Sequence, residues 1–175
     1  MVKKLMLPMV ALVALALVSP ILIAQEEAKT GEKAAGHEFI GVKKCSFCHK
    51  KDGTFPSWEK TPHATAFASL KTDAEKADPT CLTCHATGKL ATGEVLEGVQ
   101  CESCHGAGGD YWKKSVMEDR ELAIKNGMII PTAETCKTCH EGKVPEGHKE
   151  LPAFDFEKMK ATGIHDMPVA EKTEG

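Results

Sequence analysis

Twelve residues of this 175-residue chain form four copies of one pattern. They are Cys45, Cys48 and His49; Cys81, Cys84 and His85; Cys101, Cys104 and His105; and Cys136, Cys139 and His140. All eight cysteines of the chain are used, each pair is separated by two residues, and a histidine follows every second cysteine. On a helical turn, residues three and four apart share a face. Two thiols so placed can reach the two vinyl groups on one edge of a porphyrin, and the next residue can swing its imidazole under the iron. Cys-x-x-Cys-His is the attachment pattern of c-type haem. The spacing therefore predicts four covalently bound haem c groups, with His49, His85, His105 and His140 as proximal iron ligands.

Other chemistries use paired cysteines. A disulfide framework does not require histidine after every second cysteine. Zinc can take three ligands from Cys-x-x-Cys-His, and a redox Cys-x-x-Cys pair normally occurs once, beside a βαβ pattern. Only eight residues are histidine, so four of four by chance is on the order of a few in a million, which favours haem.

Four irons also need something on their distal sides. Four histidines remain: His37, His63, His148 and His165. His63 begins an apolar helical face, and His165 follows a short helix. His148 sits in a Pro/Gly loop, and His37 lies at the edge of a polar linker. Met117, Met128, Met159 and Met167 are alternative ligands that would raise a potential, although methionine more often fills a core.

The elements that must position these residues read as short helices and loops. Thr61-Pro62 predicts a helix N-terminus running to Lys71, with Thr as N-cap and Pro at the first position. Asp110 can cap a longer helix to Lys125, closed by Asn126-Gly127. Thr132 can cap the turn carrying the fourth motif, and Asp155 a helix stopped at Gly163. Gly88, Gly93 and Gly98 punctuate a loop, in which 94–99 could pair weakly as a strand. Aromatic residues make up only 5% of the chain, so a conventional core would be thin. The expected fold is mainly α, with short helices and loops wrapped around four closely packed haems and little or no sheet.

Lys3 and Lys4 precede an apolar run from Leu5 to Ala24, which reads as a signal peptide over residues 1–24. The run is long enough to span a bilayer, so membrane anchoring through residues 5–24 is the alternative. Cleaved or not, the segment keeps Lys3 and Lys4 on the cytoplasmic side, which puts the remainder outside, with a periplasmic location. Residues 25–36 read as a flexible linker, 37–167 as the haem domain and 168–175 as a disordered tail. With Lys3 and Lys4 removed, 20 basic residues face 25 acidic ones, a formal charge near −5. No basic stripe suits nucleic acid. An acidic surface suits redox-protein donors and acceptors with a basic docking face.

The chain resembles the tetrahaem cytochrome c-554 family from about Phe39 to Met159. FIGVKKCSFCH, SWEKTPHATAFASLK, GVQCESCHGAG and FDFEKMK carry the resemblance. It implies that His63 is a distal ligand, and it supports His165. It also implies a mainly helical, haem-dominated fold, electron transfer from an oxidoreductase to an acceptor, and one five-coordinate haem at the second motif. Similar members have a histidine shortly after the Cys-x-x-Cys-His-Gly-x-Gly stretch, where this chain has Tyr111 and Trp112. The reading is an electron carrier with no catalytic residue. The alternative is a haem enzyme that binds or reduces nitric oxide, nitrite or hydroxylamine at one open iron, with His148 or Tyr111 steering protons.

Overall fold

The computed structural model describes residues 37–166. The signal or anchor segment, the linker up to Gly36, Met167 and the tail lie outside them. No described helix is long and apolar enough to cross a membrane.

Helices alternate with loops, and every one of them is short. Helix α1 (Val42–His49) and α2 (Thr54–Trp58) lead to a 3₁₀ turn at Phe67–Ser69. Helices α3 (Asp73–Ala77) and α4 (Pro79–His85) follow. Strands β1 (Ala86–Lys89) and β2 (Val95–Glu97) then pair antiparallel, Gly88 opposite Leu96 and Lys89 opposite Val95. The weak strand expected over 94–99 is therefore half of a two-stranded hairpin. Helices α5 (Cys101–His105), α6 (Lys114–Met117), α7 (Arg120–Lys125), α8 (Ala133–His140) and α9 (Phe156–Gly163) complete the described chain.

Local chemistry accounts for most helix starts. Thr72 and Glu75 form a capping box on α3, and Asp78 accepts from the Thr80 amide ahead of Pro79. Thr132 and Thr135 close a similar box on α8. Asp155 accepts from the Lys158 amide to start α9. Each cap satisfies amides that the first turn leaves without partners and contributes roughly 1 kcal/mol.

Two expected helices are not formed as such. From Thr61 to Leu70 the amides bond three residues back, as in Ala66 to His63, Ser69 to Ala66 and Leu70 to Phe67. Other groups claim the carbonyls an α-helix would use: the Val99 amide takes His63 O, and the His85 ring takes Ala66 O. The helix expected from Asp110 to Lys125 is split in two. Asp119 caps α7 by accepting from the Leu122 amide, while Asp110 is engaged by the His37 ring. Its expected end holds, because Gly127 closes it at φ 98°.

The apolar core is small. Among the described residues, only Leu70, Leu96, Tyr111 and Ala123 are buried hydrophobics. What ties the loops together is polar. Glu102, 2% exposed, receives the amides of Ile40 at 3.0 Å, Gly41 at 2.7 Å and Gly108 at 2.7 Å. Gln100 accepts from the Val42 amide at 2.8 Å and donates to Glu97 O at 3.0 Å. These bonds fix the entry to α1 against α5 and the glycine loop beyond it. Gly98 has φ 81°, and a β-carbon there would lie 2.7 Å from Ala64 O. The hairpin thus presses directly on the loop that carries His63.

Glu102→Ala strands three amides around a buried site and should destabilise the domain by about 3 kcal/mol. Glu102→Gln, which keeps one acceptor oxygen, should cost clearly less. Chemical denaturation of the haem-loaded variants checks the ranking.

Candidate haem centres

Each of the four Cys-x-x-Cys-His motifs closes a helix. The motif histidine is the last residue of α1, α4, α5 and α8. A terminal position lets the ring leave the helix while the two thiols stay one turn apart on a single face. None of the eight cysteines is in a disulfide.

The thiols lie beside one another across motifs. Cys45 neighbours Cys101, Cys84 neighbours Cys139, and Cys104 neighbours Cys136 and Cys139. A hydrogen bond with Cys101, then burial, pushes the Cys45 thiol far above its ordinary range. Burial lifts Cys84 and Cys104 to about 11. The hydrogen bond with Cys45 holds the Cys101 thiol below its ordinary value. Among the described residues, no three His, Cys, Asp or Glu side chains converge as a metal cluster. The donor set fits thioether attachment better than a zinc site.

Three of the expected distal histidines each face a motif histidine. His63 and His140 have ring centres 5.9 Å apart, His85 and His148 6.2 Å, and His105 and His165 6.2 Å. Five of these six rings are tethered from behind through Nδ1. His63 Nδ1 meets Gly163 O at 2.8 Å, and His85 Nδ1 meets Ala66 O at 2.8 Å. His105 Nδ1 meets Ile129 O at 3.0 Å, and His165 Nδ1 meets Asp166 O at 2.8 Å. His148 Nδ1 meets Lys149 O. Such bonds fix the tautomer and leave Nε2 as the ring atom available to iron. Burial also lowers the proton affinity of His63 and His105, which favours the neutral form that ligates.

His49 and His37 are arranged differently. The His49 Nδ1 pairs with Asp52 Oδ2 at 2.7 Å. No histidine ring of the described residues faces it as the others do. His37 Nδ1 pairs with Asp110, and its Nε2 lies against Gly127. The resemblance implied an open position at the second motif, but the structure sets His148 opposite His85. Tyr111, considered for proton steering, donates its hydroxyl to Gly106 O at 2.6 Å and is buried. Burial pushes that hydroxyl's proton affinity up. Sequence reasoning missed Asp52 and Glu102, because one more acid near a motif carries no spacing signal.

The chain is similar to known proteins in both sequence and fold. Residues 44–106 match the family model for cytochrome c554 and c-prime. The chain is 33% identical to cytochrome c-554 of Nitrosomonas europaea over 66% of its own length, and spans 64% of the length of that relative. Its fold is similar to that of reduced cytochrome c554 from Nitrosomonas europaea, with a TM-score of 0.56 and 28% identity. That match covers 75% of this chain and 86% of the other. The mainly helical build and the four motifs have a common explanation: the chain is similar to cytochrome c554 in sequence and fold and is a c-type cytochrome.

Proposed function

We propose that the chain is a periplasmic tetrahaem electron carrier between redox proteins. The observation that carries the reading is the spacing of the three imidazole pairs, 5.9 to 6.2 Å between ring centres. An iron–nitrogen bond of about 2 Å on each side, plus roughly 1 Å from nitrogen to ring centre, gives about 6 Å. Packed rings commonly lie about 4.5–7 Å apart, as His140 and Phe154 do at 5.9 Å; what favours an iron between the rings is that each of the three pairs joins a motif histidine to a histidine outside the motifs from a distant part of the chain.

When bound, haem c supplies a one-electron change at iron. The chain's own part is to hold, orient and close. Cys45 and Cys48, Cys81 and Cys84, Cys101 and Cys104, and Cys136 and Cys139 would each tether one porphyrin. His49, His85, His105 and His140 would bind the proximal faces. His63, His148 and His165 would close the distal faces opposite His140, His85 and His105. Two imidazoles shut an iron to substrates while leaving outer-sphere electron transfer intact. The neighbouring thiols support an order in space of second, fourth, third and first motif. The four-haem count is tested by a pyridine haemochrome assay with intact-mass measurement. Four haems per chain are expected, and two or fewer would leave the pairing unexplained.

His63→Met should replace one low-spin imidazole pair by a new signal in electron paramagnetic resonance, leaving the other low-spin signals in place. An unchanged spectrum would return His63 to a structural role.

Surface charge supports the choice of partner. Each ferric haem adds about −1, from two propionates against one net positive iron–porphyrin core, so four haems take a mature chain near −5 to about −9. Attraction to a basic partner speeds encounter and is screened by salt. The rate with the physiological donor should fall as ionic strength rises; a rate that increases would identify an acidic partner instead.

A further inference from the structure

One motif differs from the other three in one way and from the second and third motifs in another. The first concerns the face opposite its histidine. All eight histidines of the chain lie within the described residues. Six of them form the three facing pairs. His37 is in no facing pair: its Nδ1 is on Asp110, and its Nε2 is set against Gly127, where a β-carbon would sit 2.6 Å from it. That leaves His49 with no imidazole to face it. The segment beside α1 supplies no substitute histidine. Trp112 lies under the Lys44 ammonium at 5.0 Å, and the Tyr111 hydroxyl is taken by Gly106 O and His105 O.

The second difference lies behind the ring. His85 and His105 use their Nδ1 atoms on backbone carbonyls. His49 uses a carboxylate, Asp52 Oδ2 at 2.7 Å. Asp52 is itself held, because its Oδ1 accepts the Thr54 amide at 2.9 Å. A carboxylate draws the Nδ1 proton more strongly than a neutral carbonyl does. The ring becomes a more basic ligand, and the ferric state of the iron it holds is favoured.

We propose that the first motif, not the second, carries the open iron of this chain: a binding site for a small diatomic ligand such as nitric oxide or carbon monoxide, with His49 proximal and Asp52 tuning it. The inference rests on the tetrahaem reading. It also gives that reading a direction. Cys45 lies beside Cys101 of the third motif, which supports a place for the open centre at one end of the row. Electrons would reach it through the three closed centres, and a ligand there would not interrupt transfer among them. Asp52 is a positioning residue, acting on iron through His49.

The test uses the fully loaded protein and carbon monoxide as probe. A haem count below four would defeat the underlying reading before any ligand is added. With four haems present, the reduced wild type should bind carbon monoxide at one haem in four. His148→Ala should raise this to two, because His85 then loses the ring facing it. Asp52→Asn should keep binding at one haem but raise that haem's midpoint potential and lower its iron–histidine stretching frequency, with the other three potentials unmoved; Asp52→Glu should restore both. No carbon monoxide binding in the wild type would overturn the proposal. So would a stoichiometry that stays at one in His148→Ala, since the open iron would then be the one on His85. If His148→Ala fails to load its haems, the Asp52→Asn measurement still decides. An unmoved potential and stretching frequency at the ligand-binding haem would place that haem elsewhere.

Discussion

A helix of five to eight residues, such as those that carry the four motifs, does not hold together alone in water. The first hydrogen-bonded turn fixes several dihedral angles for a single bond, and isolated helices need about 12 residues or more to persist. Each motif helix must therefore be held from outside, and its terminal histidine is where that hold is strongest. The rings of His49, His85 and His105 are fixed behind by a hydrogen bond at Nδ1, and those of His85, His105 and His140 face a second ring from a remote segment. On the proposed reading, two thioether bonds and an iron join those rings. Cross-links of this kind limit the freedom of the unfolded chain much as disulfides do. They replace packing that four buried hydrophobic residues cannot provide.

The polypeptide's remaining task is to keep short segments in register. Buried polar groups do this with little area. Glu102 gathers three amides from two segments, and Gln100 binds the start of α1 to the hairpin. Gly98 lets the backbone reach the loop of His63 at a distance any side chain would block. A network that is fully satisfied specifies one arrangement; one missing member leaves charged or polar atoms buried without partners. Rigidity matters for the function proposed, since electron transfer between fixed centres gains from small structural change on each step.

The four motifs were legible because their signal is local. Two cysteines and a histidine within five residues state their geometry without help from the rest of the chain. Helix starts at Thr132 and Asp155 were legible for the same reason, since a cap and its amide lie within three residues. What could not be read depends on remote partners. The Thr61–Lys71 segment has helical spacing, but Val99 and His85 take carbonyls it would need. Which distal histidine meets which motif is set by segments up to 77 positions apart, as for His63 and His140, and no local pattern encodes that. Asp52 is close to His49 in sequence, yet acidic residues near motifs are common, and only the 2.7 Å contact distinguishes this one.

On the proposed reading, four irons lie where the histidines place them. Crystals of the loaded protein, measured across the iron absorption edge, would locate each iron without reference to the chain. The account predicts four anomalous peaks. Three should lie midway between His63 and His140, His85 and His148, and His105 and His165; the fourth should lie against His49 with no second imidazole. Their order along the row should be second, fourth, third and first motif. Fewer than four peaks, or a second imidazole on the iron at His49 and none but His85 on the iron of the second motif, would contradict it.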